Sequence, residues 1–119
     1  MKRLLFILFC FVAIFNSHSQ TQIGDGIYDI GVNHFGFSVS MPSENVIAIG
    51  APKTFSSSSS SGRVKIFEYN GSDWLQKGND ITGDAYDLLG YSISMGDENT
   101  ITIGAPTQEV FTFTNYSRV

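Results

Sequence analysis

Residues 36–52 read GFSVSMPSENVIAIGAP and residues 90–106 read GYSISMGDENTITIGAP, the same phrase 54 positions later with no gap. Gly36, Ser38, Ser40 and Met41 return as Gly90, Ser92, Ser94 and Met95. Glu44, Asn45, Ile47 and Ile49 return as Glu98, Asn99, Ile101 and Ile103, and Gly50, Ala51 and Pro52 as Gly104, Ala105 and Pro106. The likeness reaches upstream, where Gln22, Gly24 and Ile27 answer Gln76, Gly78 and Ile81. Turn residues and apolar residues recur together, so what repeats is a folded unit and not merely a composition. A long internal period of this kind means a propeller, a solenoid or an array, in which a unit cannot bury its apolar face alone and stacks on its neighbour.

The first nineteen residues stand apart from that unit. Lys2 and Arg3 precede an unbroken apolar run of 12 residues, Leu4 to Phe15, too short to span a bilayer comfortably. Small residues at Ser17 and Ser19 follow. The pattern predicts a secretory signal peptide over 1–19, cleaved after Ser19, with an uncleaved membrane anchor as the alternative. Cys10, the single cysteine, lies inside the run, so an exported chain would carry no disulfide and would rest on packing and strand pairing. Without Lys2 and Arg3, five basic residues face eleven acidic ones, a net charge of −6 with no basic stripe. Nucleic acid and anionic membranes are not the partners this balance suits. The expected location is extracellular or the cell surface, with no transmembrane span once the leader is removed.

The remainder reads as all-β. Residues 20–34 are a Gly/Asp-rich lead-in with one short strand expected around Ile27. Phe37, Val39 and Met41 alternate with Ser38 and Ser40, the period of a strand with one apolar face. Pro42 to Asn45 is expected to turn. Val46 to Ile49 is apolar throughout, which suits a strand buried on both faces, and Gly50-Ala51-Pro52 is expected to stop it. Ser56 to Ser61, six serines, reads as a tolerated surface loop, with a glycosylated or sugar-contacting loop as the alternative. Arg63 to Tyr69 places Val64 and Ile66 on one face, Phe67 and Tyr69 on the other. Asn70-Gly71 then predicts a type I′ hairpin turn, which requires positive φ at both residues, and Trp74, the only tryptophan, begins the return strand as a packing anchor. In the second copy Tyr91, Ile93 and Met95 alternate with serines, Gly96 to Asn99 turns, Thr100 to Ile103 returns, and Val110 to Thr114 is one more strand, although Ser117-Arg118-Val119 also resembles the Gly62-Arg63-Val64 that opens the third strand of the first copy.

Phe35-Gly36, an alternating strand, a turn, an apolar strand and Gly50-Ala51-Pro52 together resemble the FG-GAP repeat; the second copy departs from it with Leu89 before Gly90. The wider wording looks like tandem FG-GAP proteins exported by flavobacterial-type bacteria. The resemblance implies integrin-α-like β-propeller blades of four antiparallel strands: repeat 1 over 35–88 and a truncated repeat 2 over 89–119. It also implies a non-enzymatic adhesion or binding module whose partner is an extracellular protein or a polysaccharide. About two blades are fewer than the four to eight that close a propeller. The expectation is therefore an incomplete propeller, a piece of a longer reading frame, with self-assembly or a two-sheet sandwich as alternatives.

Members of that family often hold calcium in a D-x-D-x-D-G hairpin loop. Here the loops are only Pro42-Ser43-Glu44-Asn45 and Gly96-Asp97-Glu98-Asn99, whereas calcium takes six to eight oxygens. No cofactor or metal residues are assigned, with Asp84 and Asp87 as a weaker calcium alternative. No catalytic residues are assigned either. His34 is the single histidine outside the leader and no partner spacing accompanies it. Asp97-Glu98 reads as a solvated turn, not a glycosidase pair. Asn70-Gly71-Ser72 and Asn115-Tyr116-Ser117 match the N-glycosylation pattern, which carries no meaning in a bacterial source. Two other function classes stay open: a propeller-bearing polysaccharide-active enzyme with its catalytic residues in other blades, and a structural segment with no autonomous function.

Overall fold

A computed structural model describes residues 19–30, 32–54, 60–107 and 110–114. Residues 1–18 of the expected signal peptide, most of the serine run and Ser117-Arg118-Val119 lie outside these residues. Among the described residues ten strands follow one another: β1 (Val32–Asn33), β2 (Ser38–Ser43), β3 (Val46–Ala51), β4 (Lys53–Thr54), β5 (Arg63–Tyr69), β6 (Trp74–Gln76), β7 (Ile81–Thr82), β8 (Ser92–Asp97), β9 (Thr100–Gly104) and β10 (Val110–Thr114). No helix occurs among the described residues, and none there is long and apolar enough to cross a membrane. The protein is all-β.

Each copy of the repeated phrase makes its own antiparallel sheet. The first sheet is the meander β2-β3-β5-β6, with β7 added beside β5; the second is β8-β9-β10. The first has the four-stranded meander expected of a blade, and the second has three strands of that order. Both sheets are open. The third strand of the second copy is settled by register: Val110 lies opposite Gly104 as Val64 lies opposite Gly50. The connection from Gly104 to Val110 is eight residues shorter than that from Gly50 to Val64, a difference largely accounted for by the serine run.

Four local expectations are corrected. Pro42 is not in the turn. β2 continues through Ser43, and the turn is only Glu44-Asn45, because the ladder is interrupted between Ser40 and Ser43. A strand residue lacking an N–H is tolerated at such an irregularity. The second copy does the same, with β8 running to Asp97 and a register shift between Met95 and Asp97. Likewise Gly50 and Ala51 remain paired in β3, and the break comes at Pro52. Asn70-Gly71 does not form a two-residue type I′ turn. Tyr69 pairs with Trp74, so Asn70 to Asp73 is a four-residue loop, and of the two only Gly71 has positive φ. Asn70 acts through its side chain, whose Oδ1 accepts from the N–H groups of Ser72 and Asp73, both at 2.9 Å, the Asx geometry that lets Asn close a turn without a left-handed backbone. Finally, Ile27 is not in a strand. Its counterpart Ile81 is, paired with Val64, and the lead-in's own strand is β1, paired with β4.

The core lies between the two sheets. Val46, Ala48, Val64 and Ile66 from the first meet Met95, Ile101, Ile103 and Ala105 from the second around Leu89, with Phe111 and Phe113 packed against them. β2 and β8 lie side by side along this interface. Ser38 Oγ donates to the Gly90 carbonyl at 2.7 Å, and the Met95 N–H donates to Ser40 Oγ at 3.0 Å. Gly50 makes this approach possible: a Cβ there would strike Ser38 Oγ and the Gly90 carbonyl oxygen.

Candidate functional site

The outward face of β5 is covered by the lead-in. Alternation along Arg63 to Tyr69 sends Arg63, Lys65, Phe67 and Tyr69 away from the second sheet. Asp29 reaches this face, its Oδ2 3.1 Å from Lys65 Nζ and 3.3 Å from Arg63 Nη1. Asp80 completes the group, at 3.3 Å from Arg63 and 3.7 Å from Lys65, and takes a hydrogen bond from Gln76 Nε2 at 2.8 Å. Phe35 meets Phe67 edge-on with ring centroids 6.4 Å apart. Two cations against two carboxylates balance a half-buried polar surface and hold the lead-in to its sheet.

Further up the lead-in a second set of contacts shapes a cleft. Trp74 Nε1 donates to the Ile23 carbonyl at 3.0 Å, and its ring packs on Tyr69 with centroids 5.3 Å apart. Asp73 Oδ1 accepts from the Trp74 N–H at 2.8 Å and from the Asp25 N–H at 3.3 Å. Gly24 turns with φ +68, a left-handed conformation that side chains oppose. The chain then runs past Trp74 and leaves a half-open cleft of about 350 Å³ lined by Asp25, Gly26, Ile27, Tyr28, Phe67, Asp73 and Trp74. Tyr28 stands at the rim, 77% exposed. Among the described residues no cation pairs with Asp25 or Asp73. The arrangement offers aromatic faces for stacking and two carboxylates as hydrogen-bond acceptors, the usual mixture of a small-ligand cleft.

A smaller cleft of about 110 Å³ lies beside β7, lined by Thr82, Gly83, Asp84, Asp87, Leu89, Phe111 and Phe113. Asp87 is 3% exposed. Its Oδ2 accepts from the Asp84 N–H at 2.7 Å, and the Asp87 N–H donates back to the Asp84 carbonyl at 3.2 Å, so Asp87 braces its own loop. Its Oδ1 is buried without a partner. The Asp84 and Asp87 side chains thus fall in the same cleft, but no group of three His, Cys, Asp or Glu converges among the described residues.

The hairpin loops are closed by their own side chains. Asp97 accepts from the Asn99 N–H at 2.7 Å and from Thr100 Oγ1 at 3.3 Å, and Ser43 Oγ accepts from the Asn45 N–H at 3.3 Å. His34 is an exposed loop residue at φ 62, with its ring 6.2 Å from that of Phe37. Sequence reasoning singled out Trp74 only as an anchor and did not find Asp25, Tyr28 or Asp73. The available signal was the lead-in's likeness to residues 76–81. Gln22 Nε2 bonds the Gly24 carbonyl as Gln76 Nε2 bonds that of Gly78, both at 3.2 Å, so the lead-in belongs to the folded unit. Comparison of the chain with family models, with curated proteins and with solved structures gives no match.

Proposed function

We propose that the chain is an exported, non-enzymatic binding module of the FG-GAP kind, acting outside the cell or at its surface, with an extracellular polysaccharide or protein as partner. The observation that carries this reading is the cleft in which Tyr28, Phe67 and Trp74 stand beside Asp25 and Asp73. Sugar rings present apolar C–H faces that stack on aromatic side chains, and hydroxyls that donate to carboxylates. The repeated Gly-Ala-Pro phrase supports the family reading. The net acidity favours neutral or cationic partners over nucleic acid. A polysaccharide-active enzyme and a purely structural segment are the competing classes, and both are separated from binding by the same experiment.

Trp74 is the only tryptophan, so its fluorescence reports on this cleft alone. Titration with neutral and amino-sugar oligosaccharides, chosen from an array screen of the purified protein, should give a saturable change. Tyr28→Ala should weaken binding about tenfold, the equivalent of one lost stacking contact. Turnover of the bound glycan would establish the enzyme reading instead. The absence of any glycan or protein ligand from a correctly folded sample, or binding indifferent to Tyr28→Ala and Asp25→Asn, would remove the cleft from the account.

A further inference from the structure

The interface between the two sheets has two unlike halves, and the molecule carries a second copy of each, one open on the free face of β8 and one open along β2. On the first sheet's side the contacting groups are Ser38 and Ser40 on β2, with Gly50 clearing the approach; on the second sheet's side they are the Gly90 carbonyl and the Met95 N–H on β8. The repeat supplies the counterparts of the first half as Ser92, Ser94 and Gly104, and those of the second as Gly36 and Met41. Ser92 and Ser94 are exposed on the free face of β8. Gly104 keeps the same clearing: a Cβ there would meet only Ser92, within its own sheet, with no neighbouring backbone in the way.

The other half is open only along β2. Phe37, Val39 and Met41 on the outward face of β2 are 49%, 60% and 51% exposed, whereas Met95, the counterpart of Met41, is buried in the interface. The lead-in covers β5 on this face through Asp29 and Phe35 but leaves the edge strand β2 uncovered. Gly36 and Gly90 share φ +88, so the loop that presents the carbonyl is already shaped for the contact. Phe37 packs on Tyr91 with centroids 4.9 Å apart, and each ring keeps about half of its surface free for a second neighbour.

We infer that copies of this chain associate head to tail, the free β8 face of one receiving the free β2 face of the next, with Ser92 and Ser94 bonding the partner's Gly36 carbonyl and Met41 N–H. This contact joins two different surfaces, so it leads to a ring where the rotation between units closes and to an open chain where it does not. It does not rest on the proposed ligand cleft, which lies on the outer side of β5 and β6. The receiving face is less apolar than the internal one, with Thr100, Thr102 and Thr112 where the first sheet has Val46, Ala48 and Ile66. Each buried hydroxyl needs a partner. The association is therefore weaker than the internal packing, with a dissociation constant on the order of tens of micromolar.

The test uses the full chain, purified after expression with its own N-terminal segment. Sedimentation velocity across about two decades around that concentration should show mass increasing beyond the monomer. Met41→Glu spoils one half and Ser94→Glu the other; both positions are exposed, and an unchanged urea midpoint confirms that each variant folds. Each variant alone should remain monomeric. An equimolar mixture should form a dimer and stop there, because one good face of each kind remains. Val39→Lys replaces Met41→Glu should the latter fold poorly. A wild type that stays monomeric about a hundredfold above the expected constant overturns the inference. So does association that survives either variant, or a mixture that fails to pair.

Discussion

Val46 and Thr100 occupy the same position in the repeated phrase, yet Val46 is completely buried and Thr100 is only partly covered; Ile47 and Ile101 show the reverse. The first sheet turns Val46, Ala48, Val64 and Ile66 toward its neighbour, and the second turns Ile101, Ile103, Phe111 and Phe113. These are opposite faces of the same unit. Two sheets related by a two-fold axis would bury the same face twice. Two sheets stacked in one sense bury opposite faces, and that is the arrangement a repeat architecture requires. The difference also explains the composition. β3 and β5 of the first sheet are covered on both faces, one by the second sheet and one by the lead-in, and β3 is apolar throughout, whereas β2 stays open on its outer face. The second sheet has one covered face, and β9 alternates Thr and Ile accordingly.

This comparison can be broken one pair at a time. The largest expected effect is at the isoleucines. Ile101→Ala empties a fully buried site and should cost about 3–4 kcal/mol, while Ile47→Ala should cost no more than about half of that, as read from urea unfolding midpoints. Equal costs would mean that the two faces are not used differently. The glycines come next. Gly50→Ala drives a methyl against the Gly90 backbone carbonyl, which cannot swing aside, and should destabilise by about 1–3 kcal/mol. Gly104→Ala meets only the Ser92 hydroxyl, which can rotate, and should stay within about 1 kcal/mol of wild type in the same measurement. The serines give a smaller contrast. Ser38→Ala loses a partly buried bond to the Gly90 carbonyl, about 1 kcal/mol, whereas Ser92→Ala in the monomer should be neutral within about 0.5 kcal/mol. The smallest effect concerns the lead-in. Asp29→Asn should cost about 1 kcal/mol or less and should lose part of that difference in high salt, since the Arg63 and Lys65 partners are partly solvated.

The sequence made the strands legible for a simple reason: serine alternates with large apolar residues in β2 and β8, and Gly-Ala-Pro marks the end of the central strand in both copies. The turns were less legible. Pro42 reads as a turn former, but a ladder irregularity absorbs it inside β2, and Asn70 closes its loop by side-chain hydrogen bonds that a residue pair alone does not reveal. The orientation of the first sheet was hidden, because Val46-Ile47-Ala48-Ile49 is apolar on both sides. The second copy did carry that information in Thr100-Ile101-Thr102-Ile103. The cleft was the least legible part. It joins Asp25 and Tyr28 to Asp73 and Trp74 across nearly fifty residues, and the lead-in that brings them together has no alternation to announce where it docks.

The most direct test of same-sense stacking is a nuclear Overhauser measurement on a dilute, monomeric sample. The amide proton of Met95 should show a cross-peak to the β-protons of Ser40, since the Met95 N–H donates to Ser40 Oγ at 3.0 Å. Loss of that cross-peak while the pairings within each sheet persist, such as Ile93 with Ile103 and Ile49 with Lys65, would contradict the stacking and, with it, the reading of the two sheets as successive units of one repeat.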